Sequence, residues 1–164
     1  MEKPIKKIKR YKTGEIEHIR YEINGKLHRE NGAAYISFKK NGKISIIKYA
    51  QNGLTHSING PTYIRYHENG KVNEKLYVTK GSYVSKDNSP SWIIYRINWQ
   101  IQEERYIRGM NFHRINGPAI IRYNKHGKII SKEYYINGKI YDELSYLLKI
   151  NNINYEDGEG DNGW

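Results

Sequence analysis

The fold is decided by one stretch: Phe112-His113-Arg114-Ile115-Asn116-Gly117-Pro118-Ala119, the run Ile120-Ile121-Arg122-Tyr123, the turn His126-Gly127, and a second run ending Tyr134-Tyr135-Ile136-Asn137-Gly138. Its pattern occurs earlier in the chain. Gly25-Lys26-Leu27-His28-Arg29-Glu30-Asn31-Gly32 and Gly53-Leu54-Thr55-His56-Ser57-Ile58-Asn59-Gly60-Pro61 open two further copies, and Gly81 through Asn88-Ser89-Pro90 opens a weaker one. Ala33, Pro61, Pro90 and Pro118 stand 28, 29 and 28 residues apart, and Gly42, Gly70, Trp99 and Gly127 keep the same steps. A tyrosine follows each mid-repeat turn by seven residues, at Tyr49, Tyr77, Tyr106 and Tyr134, and Tyr21 after Gly14 adds a half-repeat in front. A unit this small cannot bury a core alone, so the copies must stack on one another.

The turns identify the secondary structure. Asn24-Gly25, Asn41-Gly42, Asn52-Gly53, Asn69-Gly70 and Asn137-Gly138 are Asn-Gly pairs, which tolerate the positive φ that tight hairpin turns require. Antiparallel strands are predicted near 15–23, 33–40, 43–51, 61–68, 71–79, 90–97, 100–107, 118–125 and 128–136. In the first strand of each copy Ile36, Ile64, Ile93 and Ile121 share a face with Phe38, Tyr66, Tyr95 and Tyr123, two residues on. That face is the expected core, and Ser37, Lys39, Arg65, His67, Arg96 and Arg122 are expected on a wet, basic face. In the second strand Ile44, Val72, Ile101 and Ile129 have the opposite parity to the tyrosine five residues later, which requires a bulge or partial burial of both faces.

The expected fold is therefore all-β: a tandem antiparallel β-hairpin repeat array, an open twisted meander, with a short C-terminal capping helix. Residues 1–12, with Lys3, Lys6, Lys7, Lys9, Arg10 and Lys12, read as a basic arm, and residues 13–140 as the repeats. Residues 141–150 read as the cap, with Leu144, Leu147 and Leu148 at helical spacing to cover the last strand, and residues 151–164 as a flexible acidic tail. The third copy is eroded, with Ser85 in place of histidine, Ser89 in place of glycine, and Trp92 and Trp99 expected to pack.

The 164 residues hold 28 Lys and Arg against 17 Asp and Glu, a net charge of +11, with 16 Tyr and no Cys. Four acids after Tyr155 (Glu156, Asp157, Glu159, Asp161) face no base, so the preceding residues alone carry +15. Such a body attracts polyanions. The lack of cysteine excludes disulfides, thiolate zinc sites and thiol chemistry, and no apolar run is long enough for a membrane span. A cysteine-free chain without a secretory leader is expected inside the cell.

The stretches Tyr21-Glu22-Ile23-Asn24-Gly25-Lys26, Tyr66-His67-Glu68-Asn69-Gly70-Lys71 and Tyr134-Tyr135-Ile136-Asn137-Gly138-Lys139 resemble the hairpin turns of MORN-variant repeat proteins. The His-Arg-x-Asn-Gly-Pro-Ala form is similar to a repeat abundant in large DNA viruses, and the resemblance covers about Gly14 to Lys139. It implies β-hairpin arrays used for binding and assembly, without a common chemistry, and a host-cytoplasmic setting if the chain is viral. The segment from Gly25 to Gly42 is longer than in ordinary units of that kind.

His28, His56 and His113 recur in register, but neighbouring copies of a two-strand unit lie roughly 10 Å apart, too far to share one metal ion. A structural role beside the turn backbone is favoured over anion contact or catalysis. No phosphate-binding glycine loop, nucleophile elbow or carboxylate pair is visible. The chain is thus expected to be non-enzymatic, with no cofactor and no metal site. Its expected role is to bind a phosphate-bearing anion (nucleic acid, nucleotide or acidic lipid) through Arg29, Arg65, Arg114 and Arg122, with Tyr35 and Tyr63 stacking beside Arg65. The alternative is a protein-interaction scaffold, engaging an acidic protein or other partner through tyrosine-rich faces or strand edges. The oligomeric state is left open.

Overall fold

The computed structural model describes residues 2–57, 60–84 and 89–158; Ser85, Asn59, Asn88 and the acidic residues Glu159 and Asp161 lie outside them. In chain order the strands begin β1 (Ile5–Arg10), β2 (Ile16–Ile23), β3 (Lys26–Leu27), β4 (Tyr35–Phe38), β5 (Ile44–Lys48), β6 (Ala50–Gln51) and β7 (Leu54–Thr55). They continue β8 (Tyr63–Tyr66), β9 (Val72–Leu76), β10 (Val78–Thr79), β11 (Ser82–Val84), β12 (Trp92–Tyr95), β13 (Ile101–Arg105), β14 (Ile107–Gly109) and β15 (Asn111–Phe112). The last elements are β16 (Ile120–Tyr123), β17 (Ile129–Ile136), β18 (Lys139–Tyr141) and helix α1 (Glu143–Gly158).

The main sheet is an antiparallel meander in the order β1-β2-β4-β5-β8-β9-β12-β13-β16-β17-β18, with β3 beside β2. Short strands form two satellite sheets, β10-β11-β14-β15 and β6-β7. The expected all-β hairpin array with a C-terminal helix is the observed fold. The expected second strands are divided in the middle copies. At Tyr49, Tyr77 and Tyr106 the chain leaves the main sheet and enters a satellite hairpin, while each of these tyrosines donates its amide to the next copy, at Thr62, Ser91 and Ala119. The satellite turns at Asn24-Gly25, Asn52-Gly53, Lys80-Gly81 and Asn137-Gly138 have positive φ at both residues, between 48° and 83°, as a two-residue hairpin with right-handed twist demands.

A bulge settles the parity of the second strands. Ser37 pairs with Ile46 but Phe38 with Ile44, and the same slip recurs at Tyr66, Tyr95 and Tyr123. The extra residue turns Ile44 back onto the face of Ile36, Phe38 and Ile47. Directly opposed side chains then form one row across the sheet: Ile8, Ile19, Ile36, Ile47, Ile64, Lys75, Ile93, Glu104, Ile121 and Lys132. The core is thin, and it is densest at the C-terminal end, around Tyr106, Ala119 and Ile121 and around Tyr134, Ile136 and Tyr146.

Two expectations are corrected. The basic arm is not separate from the array: its residues 5–10 form the edge strand β1, so the half-repeat at Tyr21 is a whole hairpin. Arg10 pairs with Ile16 across the same bulge, and the turn bonds Tyr11 N to Glu15 O and Gly14 N to Tyr11 O repeat those of Lys39, Lys43 and Gly42. Ile8 takes the isoleucine position of the core face but stays exposed at the sheet edge, as do the lysines around it. The cap is also longer than predicted, since residues 151–158, expected in the flexible tail, continue α1. It docks through a different side chain. Leu144, Leu147 and Leu148 are exposed, and Tyr146 is the buried anchor. Its hydroxyl accepts from Gly117 N at 2.8 Å and donates to the carbonyl of Ile115, polar groups that a leucine would leave unmatched.

Candidate functional site: an aromatic and cationic groove

The motif residues build the frame. Arg29 lies 4.0 Å over the ring of Tyr21 and Arg114 3.6 Å over that of Tyr106. Each guanidinium also donates at 3.2 Å to a carbonyl four residues on, Ala33 and Pro118. The small residues that follow, Ala34, Thr62, Ser91 and Ala119, are wholly buried. The histidines bridge copies. The amide of Asn52 donates to His28 Nδ1 at 3.2 Å and that of Asn137 to His113 Nδ1 at 3.1 Å, so each ring holds the turn of the following hairpin and not its own. Burial, and then the positive charge of Arg108, lowers the pKa of His113 below its ordinary value. His56 Nδ1 is buried without a hydrogen-bond partner among the described residues. Among the described residues no group of three His, Asp or Glu side chains is arranged to hold a metal ion.

Arg65 and Arg122 occupy the same strand position, but they are not a free row of cations. Arg65 Nε lies 3.0 Å from Glu74 Oε1. Arg122 Nε lies 3.0 Å from Glu103 Oε2, and its Nη1 bonds Glu133. Arg105 also pairs with Glu103, so around Arg122 the charge is balanced. Glu133 is held below the usual carboxylate range, first by Arg122, and the Arg122 pKa is raised, first by Glu133. Glu74 and Glu103 recur 29 residues apart, a signal readable in the sequence, but which arginines they meet depends on the bulged register. Other residues expected on the wet, basic strand face act as stitches: His67 Nε2 reaches Tyr95 O at 3.0 Å, and Arg96 donates to Tyr123 O at 2.7 Å. Lys39 pairs with Glu68 at 2.9 Å.

What the register does assemble is a groove of about 290 Å³ between the main sheet and a satellite hairpin, lined by Lys48, Tyr63, Arg65, Glu74, Tyr83 and Trp92 among others. Tyr35, Lys48 and Tyr63 stand directly opposite one another on three adjacent strands. The Lys48 ammonium lies 5.6 Å from both tyrosine ring centroids. No carboxylate forms a salt bridge with it among the described residues. Arg65 lies 5.7 Å from the Tyr63 centroid and donates to its hydroxyl at 2.9 Å. That bond, and then Glu74, raises the Arg65 pKa. Trp92 sits in the groove wall, donating Nε1 to Glu74 at 2.8 Å under the guanidinium of Arg105. Trp99, expected to pack, is instead 53% exposed at a turn tip with φ of 72°.

Of the expected anion site, Tyr35, Tyr63 and Arg65 thus come together, whereas Arg29, Arg114 and Arg122 are engaged elsewhere. Lys48 escaped the sequence reading because its position in the other copies is held by Arg20, Leu76, Arg105 and Glu133, so no one residue type recurs there. Comparison with protein-family models, curated proteins and solved structures finds no match to this chain. No helix among the described residues is long and apolar enough to cross a membrane.

Proposed function

We propose that this is a non-enzymatic binding module for a phosphate-bearing ligand that also carries an aromatic base, a nucleotide or a short single strand of nucleic acid. The observation that carries the reading is Lys48, an ammonium without a salt bridge, held between Tyr35 and Tyr63 and beside Arg65. Cations meet phosphate, and tyrosine and tryptophan faces stack bases without regard to sequence. Glu74 neutralises part of the Arg65 charge, so Lys48 is the principal phosphate contact. The net charge of +11 adds long-range attraction. The resemblance to MORN-variant repeats, whose arrays serve in binding, points the same way, and with it an intracellular setting, host cytoplasm if the chain is viral.

The test is fluorescence anisotropy with a labelled oligothymidylate and, separately, labelled ATP. Wild-type binding should weaken as salt is added, and Lys48→Glu should weaken it at least tenfold at low salt. Unchanged affinity in Lys48→Glu would defeat the assignment. A second reading, protein recognition, is favoured by one observation, the exposed Leu144, Leu147 and Leu148 on α1. Binding of a partner that is indifferent to salt and abolished by Leu147→Ser would support it.

A further inference from the structure

Among the described residues, both ends of the main sheet carry an unpaired edge. β1 is the terminal strand, and all six of its residues are exposed. At the other end β18 pairs only with Tyr134, Tyr135 and Ile136, so the outer edge of residues 129–133 in β17 has no strand beside it among the described residues. Ile129 and Ile130 there are 49% and 64% exposed, and Ile8 at the opposite end is 46% exposed. The helix packs on the β18-paired half of β17, through Tyr146 on Tyr134 and Ile136.

The two edges are of complementary kind. Because β1–β2 is a whole hairpin with the common bulge, β1 is a first strand of the repeat, and β17 is a second strand. Every junction between hairpins joins a second strand to the next first strand in a single register. Arg20, Ile19 and His18 oppose Tyr35, Ile36 and Ser37; Lys48, Ile47 and Ile46 oppose Tyr63, Ile64 and Arg65. Leu76, Lys75 and Glu74 oppose Trp92, Ile93 and Ile94; Arg105, Glu104 and Glu103 oppose Ile120, Ile121 and Arg122. Extending that rule sets Glu133, Lys132 and Ser131 of one copy opposite Lys7, Ile8 and Lys9 of another.

We infer that β17 of one copy pairs with β1 of a second, continuing the sheet head to tail into a linear assembly. The charges favour this pairing. Glu133, already bonded by Arg122, comes opposite Lys7, already paired with Glu22 at 2.7 Å, so two ion pairs of opposite order are set side by side, and a lysine opposite an isoleucine, Lys132 on Ile8, repeats a pair that the sheet already contains, Lys75 on Ile93. Two β1 strands brought together would instead set lysine against lysine, which antiparallel pairs resist. The lysines of β1 thus protect the edge from its own kind and leave it open to the mixed-charge edge of β17. A heterologous contact that does not close by symmetry propagates.

The native chain has no cysteine, so introduced thiols report alone. Ile8→Cys combined with Lys132→Cys, treated with a short bismaleimide at the highest soluble concentration, should give a ladder of dimer, trimer and higher species on a denaturing gel. Either single variant should give little beyond monomer. Circular dichroism of each variant confirms that the exposed substitutions leave the sheet intact. A double variant that is folded but remains monomeric overturns the inference, and so does an Ile8→Cys single variant that dimerises as fully as the double.

Discussion

Replacing Tyr146 by phenylalanine isolates what fastens the helix to the array. The ring, 1% exposed, stays in place against Tyr134 at a centroid distance of 4.8 Å. Only the hydroxyl is lost, and with it the bond accepted from Gly117 N and the bond donated to Ile115 O. Each ordinary hydrogen bond contributes about 1 kcal/mol net, and a buried partner left unmatched costs about 1–3 kcal/mol. Gly117 is half-buried, so water can reach part of the site, and the expected loss is about 1–2 kcal/mol. For a chain of this length each kcal/mol lowers the melting temperature by roughly 2–4 °C. Urea unfolding followed by circular dichroism measures it, with Leu147→Ala, an exposed neighbour, as the control that should change stability by less than about 0.5 kcal/mol. A Tyr146→Phe protein as stable as the wild type, or a Leu147→Ala protein that is the less stable of the two, would show that the helix is held by its leucines after all.

Two further outcomes follow. Gly127→Ala should cost about 1–2 kcal/mol in the same unfolding assay, because the residue has φ of 77° and the added methyl meets nothing within 4 Å, so the cost is backbone strain alone. His113 has its folded pKa lowered, so its neutral form is the one the fold prefers. Stability is full above the unfolded value of about 6.5 and is lost as pH falls through 6.5 to the folded value; melting temperatures should drop more steeply below pH 6.5 in the wild type than in His113→Gln.

The repeat step, the hairpins and the core face were legible because each rests on a local rule. Asn-Gly pairs mark turns whatever surrounds them, and Ile36 and Phe38 share a face by strand parity alone. Where a second, competing local rule was available, it misled. Six basic residues among the first 12 satisfy the description of a solvated arm, and Ile8 in their midst is legible only by stepping back 28 residues from Ile36. Leu144, Leu147 and Leu148 satisfy the description of a buried helical stripe, but the docking surface offers unmatched backbone groups of residues 115–117, and only a tyrosine can answer them. The partners of Arg65 and Arg122 were beyond reach for a different reason. They depend on which side of a one-residue bulge each glutamate falls, and a slip of one residue moves a side chain to the opposite face.

The two faces of the sheet follow different constraints. On one, isoleucine returns in strand after strand, and exceptions such as Lys75 and Glu104 lie between isoleucines that hold the row together. On the other, the position of Lys48 is taken by Arg20, Leu76, Arg105 and Glu133, and that of Arg65 by Lys9, Ser37, Ile94 and Arg122. A repeat that needed both faces for folding could not vary one of them so widely. The copies therefore fold by the isoleucine face and differ by the other. On that varied face the groove joins Lys48 and Arg65 to three aromatic walls, Tyr63, Tyr83 and Trp92, while the corresponding charges near Arg122 cancel. A site made by differences among repeats, rather than by the repeat itself, explains why Arg29, Arg114, His28 and His113 of the motif are engaged with backbone groups and why Lys48, which belongs to no motif, carries the functional proposal.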